Sequence, residues 1–274
     1  MTTPKWPLIA LVLAGCAPTM DSTEPKARTG LSLAYGEGPM RVLDLYLPEG
    51  KKGEPLVVFV HGGAWQGGSL HEYDGVCALL MKQGIAAATV GYRLSPETVH
   101  PGHAEDVASA LAWLGKKAGE YGYDPHRVTL VGHSAGGHIA ATIATDPKLL
   151  ALVKPAGFVG LEGIYDVPDL ARRWPTYPDW FLKKAFGADQ TAWPKASPTR
   201  LKLVSHSPWL VVHSKGDELV DMGQADGFAK HLHQSGVKVE VLRPEGKSHD
   251  SVVTSLANPD DEVTKAIVKF ATRP

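Results

Sequence analysis

Residues Val128–Gly137 read VTLVGHSAGG, and the organisation of the chain can be worked out from this stretch. Val128–Val131 is a short run of apolar and β-branched residues, which is typical of a strand buried on both faces. Gly132–Gly136 then has the pattern G-x-S-x-G, in which the serine occupies a sharp turn from a strand into a helix. Glycines are needed because the residues that face each other across such a turn have no room for a Cβ atom. The small and apolar residues of Ile139–Thr145 predict the helix that follows.

A second glycine motif lies upstream and also follows a buried strand. Leu56–Val60 reads LVVFV and runs directly into His61–Trp65, which reads HGGAW. Loops of the HGGG type at this place supply backbone N–H groups to an oxyanion hole, together with the residue after the nucleophile. We therefore expect the N–H groups of Gly62, Gly63 and Ala135 to stabilise an oxyanion, although the fourth position here is Ala rather than Gly. A simple turn is the alternative interpretation of the two glycines.

Buried strands alternate with amphipathic stretches along the rest of the chain. This alternation predicts an α/β fold with a mostly parallel central sheet and helices on both of its faces. The predicted additional strands are Leu31–Tyr35, Val42–Leu47, Ile85–Tyr92, Phe158–Ile164, Trp209–His213 and Val237–Leu242, and the predicted additional helices are 69–83, Ala104–Lys117 and 222–235.

The composition excludes several classes of protein. The 274 residues are 43% hydrophobic and 21% charged, which is the composition of a globular protein rather than of a disordered or polytopic membrane protein. Lys plus Arg number 28 and Asp plus Glu number 29, so the net charge of −1 gives no general attraction to nucleic acid. Two cysteines, Cys16 and Cys77, cannot build a disulfide framework, and the 12 histidines show no zinc-binding spacing. We expect neither a metal nor a cofactor.

The interval 166–206 interrupts the alternation of strands and helices. It contains Trp174, Trp180 and Trp193, further aromatic residues and several prolines. Such an insertion between two strands predicts a cap over the strand ends, where it would shape the substrate pocket. The alternative is that its aromatic residues only form a small core of their own.

A serine nucleophile needs a base, and the base needs a carboxylate that orients it. With the G-x-S-x-G motif, the chain order is serine, acid, histidine. Asp217 follows the predicted strand Trp209–His213 and is the candidate acid, with Glu218 and Asp221 as alternatives. His249 follows the predicted strand Val237–Leu242 and is the candidate base for Ser134. The competing histidines are His206, His213, His231 and His233.

The first residues predict export and lipid attachment. Residues 1–15 contain one Lys followed by an apolar stretch that is too short to span a bilayer but suits a signal peptide. The sequence Leu13-Ala14-Gly15-Cys16 resembles the lipobox of bacterial lipoproteins, which implies a lipid on Cys16 and a place in the cell envelope. Ala17 after the cysteine resembles lipoproteins that go on to the outer membrane, which implies a location there, facing the periplasm. Residues 16–29 are polar and predict a flexible tether, with the folded domain at 30–274. A plain secretory signal or an apolar N-terminal helix is the alternative.

Together, the motifs HGGAW, GHSAGG, GIYD (Gly163–Asp166), HSKGDELV and SHD resemble, in identity and order, the esterase/lipase branch of the α/β-hydrolases. The similarity is to hormone-sensitive-lipase-like, feruloyl-esterase-like and kynurenine-formamidase-like members and covers about residues 40–256. The resemblance implies cofactor-free hydrolysis of a small-molecule ester, with arylformamidase activity as the nearest alternative. A peptidase, or a catalytically silent binding protein of this fold, is a more distant alternative. Neither the natural substrate nor the oligomeric state follows from the sequence.

Overall fold

A computed structural model describes residues 30–50 and 52–273. The predicted signal peptide, Cys16 and the tether lie outside the described residues. The strands are β1 (Leu31–Ala34), β2 (Val42–Tyr46), β3 (Glu54–Val60), β4 (Ala86–Val90), β5 (Tyr123–His133), β6 (Gly157–Leu161), β7 (Trp209–Val212) and β8 (Val239–Leu242). The helices are α1 (Asp74–Lys82), α2 (Gly102–Tyr121), α3 (Ala135–Thr145), α4 (Pro147–Leu152), α5 (Val167–Arg173), α6 (Lys183–Phe186), α7 (Met222–Gln234), α8 (Ser251–Thr254) and α9 (Glu262–Ala271).

The described strands form one sheet in the order β1-β2-β4-β3-β5-β6-β7-β8. Strand β2 is antiparallel to both of its neighbours, and every pairing from β4 to β8 is parallel. The predicted fold class, a mostly parallel sheet with helices, is therefore confirmed.

Side chains of the central strand β3 point alternately to two apolar cores. Leu56, Val58 and Val60 belong to one core, which also contains buried residues of α2, α3 and α7. Val57 and Phe59 belong to the other, which contains buried residues of α1 and α9. All five side chains are fully buried. A continuous apolar strand arises because both faces of the sheet are covered by helices.

The site-bearing loops lie where the chain changes direction across the sheet. After β3 the chain moves outward to β4, whereas β5 returns to lie beside β3 on the other side. The loops after β3 and β5 therefore start at neighbouring carboxyl ends and diverge, which leaves a crevice between them. The HGGAW and GHSAGG motifs both fall at this crevice.

Between β6 and β7 the chain forms no strand, as expected for 166–206, but runs through α5, α6 and short 3₁₀ and π-helical turns. Gln224 of α7 fixes the start of this segment. Its Oε1 accepts hydrogen bonds from the backbone N–H groups of Tyr165 and Asp166 at 2.8 and 2.7 Å, and its Nε2 donates to the Asp166 carbonyl at 3.0 Å.

Outside the 166–206 segment, the described structure has three helices in addition to those predicted, α4, α8 and α9. α4 is short and begins with Asp146, whose side chain accepts from the N–H groups of Lys148 and Leu149. α9 packs Val263, Ile267 and Phe270 into the second core. Within the described residues, no helix is both long enough and apolar enough to cross a membrane.

Candidate active site

Ser134 lies at the turn from β5 into α3 in a strained backbone conformation. Its φ is 53° and its ψ is −115°, a region that non-glycine residues seldom adopt. A Cβ atom at Gly132 would lie 2.2 Å from the Gly136 carbonyl oxygen, and one at Gly136 would lie 2.2 Å from the Val60 carbonyl oxygen. The two glycines are therefore required by the closeness of the backbone. Ser134 Oγ makes no hydrogen bond with the part of the chain that the structure describes, so its hydroxyl is available for chemistry.

The loop after β3 lies against the serine. A Cβ atom at Gly62 would lie 3.1 Å from Ser134 Cβ, and Gly63 has a φ of +96°. Gly63 lines the cavity in front of Ser134, and Ala135 is the first residue of α3. Among the described residues, no backbone carbonyl accepts a hydrogen bond from the N–H of Gly62, Gly63 or Ala135. Unpaired N–H groups beside a serine, one of them at a helix N-terminus, are suited to holding an oxyanion.

His249 and Asp217 come together from the loops after β8 and β7. His249 Nδ1 donates to Asp217 Oδ2 at 2.8 Å, which fixes the imidazole tautomer and leaves Nε2 for the serine. The Asp217 side chain is 1% exposed, and its Oδ1 accepts from the N–H groups of Leu219 and Val220 at 2.8 and 2.9 Å. Burial opposes the charge of Asp217, but the hydrogen bonds from His249 and Val220 outweigh it and lower the pKa of this carboxyl.

Ser134 and His249 line the same cavity but form no hydrogen bond in the described structure. Catalytic hydrogen bonds are often long without substrate and shorten in the reacting complex. His133 holds the base from behind, since its Nε2 lies 3.0 Å from the His249 carbonyl oxygen. Burial lowers the pKa of His133 to about 3, so this ring is neutral and donates that hydrogen bond.

The alternative acids, Asp221 and Glu218, are engaged elsewhere or exposed. Asp221 begins α7, where it accepts from the Gly223 N–H and pairs with Arg173, and Glu218 is exposed. The alternative bases His206, His231 and His233 are likewise exposed or hydrogen-bonded elsewhere. His206 and His233 are exposed, and His231 Nε2 lies 2.8 Å from the Leu201 carbonyl oxygen.

A cavity of about 720 Å³ opens in front of Ser134. Its polar groups come mainly from the loop after β3 and from the catalytic loops, whereas its apolar wall comes from the segment between β6 and β7 and from α8. The lining includes Gly63, Gln66, Glu72, Ser134, Ile164, Tyr177, Trp180, Phe181, Leu219, His249, Asp250 and Val253.

The tryptophans of the 166–206 segment fall into two groups. Trp180 is 55% exposed and lines the cavity. Trp193 is 1% exposed and belongs to the core, with its Nε1 donating to the Gly187 carbonyl at 3.0 Å, and Trp174 stacks on Tyr177. Of the three, Trp180 is placed to shape the cavity, whereas Trp193 supports the segment from inside, as the alternative of a small core expects.

One buried acid beside the site was not predicted. Glu162, directly after β6, is fully buried near Asp217, and its Oε1 accepts from the Ser214 N–H at 2.9 Å. In the sequence it is the second residue of LEGIYD and shows no pattern, because its neighbours come from a loop about 50 residues further along.

Two groups of described residues bring carboxylate and imidazole atoms within 4.8 Å of one another, as a metal site would. One consists of Asp44, His71 and Asp74, and the other of Glu162, His213 and Asp217. In the second group, Asp217 already accepts three hydrogen bonds and His213 Nε2 donates to the Val220 carbonyl at 2.9 Å.

An eight-stranded, mostly parallel sheet with a strained serine at the turn after β5 defines the α/β-hydrolase fold. The chain belongs to the BD-FAE family, whose model matches residues 43–232. It is 32% identical to a kynurenine formamidase of Meyerozyma guilliermondii over 76% of this chain and 82% of that protein. It is 31% identical to an ethyl acetate hydrolase of Pseudomonas putida over 83% of this chain and 76% of that protein.

The fold is also that of a solved bacterial enzyme. The crystal structure of esterase B from Lactobacillus rhamnosis superposes with a TM-score of 0.75 at 22% identity, covering 88% of this chain and 84% of that chain. This likeness supports the architecture.

Proposed function

We propose that this protein is a serine esterase that cleaves carboxylic esters of small or aromatic substrates. The observation that carries the proposal is Ser134, which has a strained backbone and a hydroxyl with no hydrogen-bond partner among the described residues. It lies on the wall of a cavity that it shares with His249, whose ring Asp217 orients. Kinship with the ethyl acetate hydrolase supports ester hydrolysis.

In the proposed mechanism, His249 Nε2 takes the proton of Ser134 while Oγ attacks the ester carbonyl carbon. The oxygen of the tetrahedral intermediate accepts hydrogen bonds from the N–H groups of Gly62, Gly63 and Ala135. Collapse of the intermediate breaks the bond to the alcohol, which receives its proton from His249. Water then attacks the acyl-enzyme with His249 again as base, and the carboxylic acid leaves while Ser134 regains its proton.

Asp217 acts through His249. Its carboxylate fixes Nδ1 as the protonated nitrogen, so that Nε2 carries the lone pair, and it stabilises the imidazolium that forms in each half-reaction. Its lowered pKa keeps it charged throughout the neutral range.

The cavity supports small or aromatic substrates. At about 720 Å³ it has the size of a site for a small molecule, and Tyr177, Trp180 and Phe181 offer flat apolar surfaces. Such rigid walls favour a short acyl chain or a ring over a long flexible lipid chain.

Arylformamidase activity is the second candidate, because the chain is 32% identical to a kynurenine formamidase. The same residues would attack a formamide carbonyl, and His249 would protonate an aryl amine instead of an alcohol. A panel of p-nitrophenyl acetate, short aliphatic esters, aromatic esters and N-formylkynurenine tests both candidates. We expect the highest kcat/KM for an ester; a kcat/KM for N-formylkynurenine that exceeds all esters would make the second candidate the function.

A stopped-flow burst of p-nitrophenol, followed by slower turnover, tests the acyl-enzyme. An organophosphate should label Ser134 and stop the reaction. Absence of both ester and formamide cleavage, with no labelling, would show a binding protein of this fold instead.

We further propose that the enzyme is anchored in the bacterial cell envelope by a lipid on Cys16, at the outer membrane facing the periplasm. The sequence Leu13–Cys16 after the apolar stretch supports lipid attachment, and Ala17 after the cysteine supports the outer-membrane location. Cys16→Ser should release the enzyme from membranes into the soluble fraction. Mass spectrometry of the mature protein that shows an unmodified N-terminus beyond residue 16 would contradict lipid attachment.

A further inference from the structure

Glu162 occupies a costly position directly behind the proposed catalytic acid. It is fully buried, and its φ of 49° lies in the left-handed region, where a glycine or asparagine is accommodated more easily. A buried carboxyl in a strained backbone conformation is expected only where the side chain has a specific task.

The surroundings of Glu162 come from the loop after β7. Its two carboxyl oxygens lie 2.9 and 3.2 Å from the Ser214 backbone N, and its Oε2 lies 3.1 Å from His213 Nδ1. A carboxyl oxygen of Glu162 and one of Asp217 lie within 4.8 Å of each other. Two carboxyl groups this close together and shielded from water cannot both be ionised without a large cost.

The hydrogen bonds of Asp217 identify it as the ionised member. It accepts from His249 Nδ1 at 2.8 Å and from the N–H groups of Leu219 and Val220 at 2.8 and 2.9 Å. An oxygen that accepts several donors is the charged one, because each donor favours the anion.

His213 gives an independent reason for a proton on Glu162. His213 Nε2 lies 2.9 Å from the Val220 carbonyl oxygen, which can only accept, so Nε2 carries a hydrogen. In the neutral ring, Nδ1 then has a lone pair, which faces Glu162 Oε2 at 3.1 Å. Two lone pairs repel at this distance unless a proton lies between them. Because His213 is fully buried, its charged form is disfavoured, and burial lowers its pKa.

We infer that Glu162 is a neutral carboxylic acid that positions Asp217, with its O–H facing two acceptors, the Asp217 carboxylate and the Nδ1 lone pair of His213. Glu162 and Asp217 together then carry one negative charge, which lies on Asp217 beside His249 Nδ1. Glu162 is a positioning residue because it touches neither substrate nor the reacting atoms. The inference rests on the proposed esterase function for its catalytic consequence and on the buried contacts alone for its protonation.

The electrostatic surroundings agree with this assignment. Burial raises the pKa of Glu162, and contact with Asp217 raises it further, although the Ser214 N–H acts in the opposite direction. The other titratable or charged groups around this cluster are His133, His213, His249, Tyr165, Tyr177 and Arg243. Because the folded pKa is raised, the neutral acid stabilises the fold fully below its unfolded pKa, and this contribution is lost as pH rises towards the folded pKa.

The test uses the variants Glu162→Gln and Glu162→Leu, with Glu218→Gln as the matched control on an exposed carboxylate next to Asp217. Gln keeps a donor for Asp217 and an acceptor for Ser214 without any charge. We expect Glu162→Gln to keep kcat within about tenfold of the parent, whereas Glu162→Leu loses about 100-fold in kcat with little change in KM, since orientation of His249 acts on the chemical step.

Two measurements are independent of activity. Isotope-edited infrared spectra should show a protonated-carboxyl band at neutral pH that Glu162→Gln lacks and Glu218→Gln retains. The thermal stability of Glu162→Gln relative to the parent should increase as pH rises from about 5 to about 8, because only the parent must keep a buried acid neutral.

Equal loss of kcat in Glu162→Gln and Glu162→Leu, or absence of the infrared band, would overturn the inference, since Glu162 would then act as an anion. If Glu162→Leu keeps the kcat of the parent, Glu162 does not position Asp217. Ester cleavage and Ser134 labelling by the parent test the proposed function separately, so the two failures are distinguishable. If Glu162→Leu does not fold, the spectra and the pH dependence still decide the protonation state.

Discussion

The two halves of the candidate site are built by different means. The nucleophile half, formed by the loops after β3 and β5, is fixed by the backbone: Gly132 and Gly136 have no room for a side chain, and Ser134 is held at a positive φ. The acid–base half, formed by the loops after β7 and β8, is fixed by buried side-chain hydrogen bonds around Asp217. In the first half, removing a functional group should leave the fold intact, but adding a side chain at a glycine should lower the stability of the protein. In the second half, a change of a single atom that alters a hydrogen bond should lower the activity.

The largest effect is expected at the nucleophile. If the backbone fixes that half, Ser134→Ala should fold like the parent, because Oγ makes no hydrogen bond with the described residues. Activity should nevertheless fall by about 10⁴-fold or more, since the covalent route is lost. The ester assay and a thermal unfolding curve measure the two properties. Organophosphate labelling of another serine would show that the nucleophile is misassigned.

A smaller but still severe loss is expected in the other half from a change of one atom. Asp217→Asn should lower kcat by about 10³–10⁴-fold, because the amide no longer stabilises the imidazolium or fixes its tautomer. Asp221→Asn is the matched control, since Asp221 only begins α7 and pairs with Arg173. Steady-state kinetics of the two variants compare the sites. If Asp221→Asn is the worse enzyme, the acid has been assigned wrongly.

This difference explains what could be predicted from the sequence. Close backbone approach requires glycine, so the turn at Gly132–Gly136 and the loop His61–Trp65 leave local patterns that can be recognised. Asp217 and His249 could be chosen only because each follows a predicted strand. Glu162 left no such signal, since its role depends on packing against the loop at Ser214, which is distant in the chain.

The fold likewise has elements that a local sequence pattern predicts and elements that depend on packing between distant parts of the chain. Continuous apolar runs such as Leu56–Val60 predicted the central parallel strands, because burial on both faces imposes the composition. The helices α4, α8 and α9 were not predicted. α9 alternates its apolar residues with charged ones, and its place against β3, β5, β6 and β7 depends on the completed sheet.

Added bulk should break the backbone half. Gly136→Ala places a Cβ atom 2.2 Å from the Val60 carbonyl oxygen, and α3 cannot move away from β3 without disturbing the turn that holds Ser134. We expect a loss of about 3 kcal/mol or more in the free energy of unfolding, the upper part of the range for overpacking. Urea titration of Gly136→Ala and the parent measures this.

Gly115→Ala is the control for the same chemical change. Gly115 lies on the exposed side of α2, where a Cβ atom would meet nothing within 4 Å. Removing a glycine from a helix should stabilise the protein by about 0.5–1 kcal/mol. If both variants behave alike, steric closeness is not what requires the glycine at 136.

The smallest effect is expected at the cavity wall, which belongs to neither half. Trp180 is 55% exposed and lines the cavity, so Trp180→Ala should leave stability nearly unchanged. The ratio of kcat/KM between an aromatic and an acetate ester should shift by about 1–3 kcal/mol, the usual range for an apolar pocket contact.

Trp193→Ala is the matched comparison, because its ring is 1% exposed and hydrogen-bonded to Gly187. Its loss should cost about 3–5 kcal/mol of stability and leave the substrate ranking unaltered in the molecules that remain folded. An unchanged ranking in Trp180→Ala would mean that the 166–206 segment serves only as a local core and that specificity is set by the loops around Ser134.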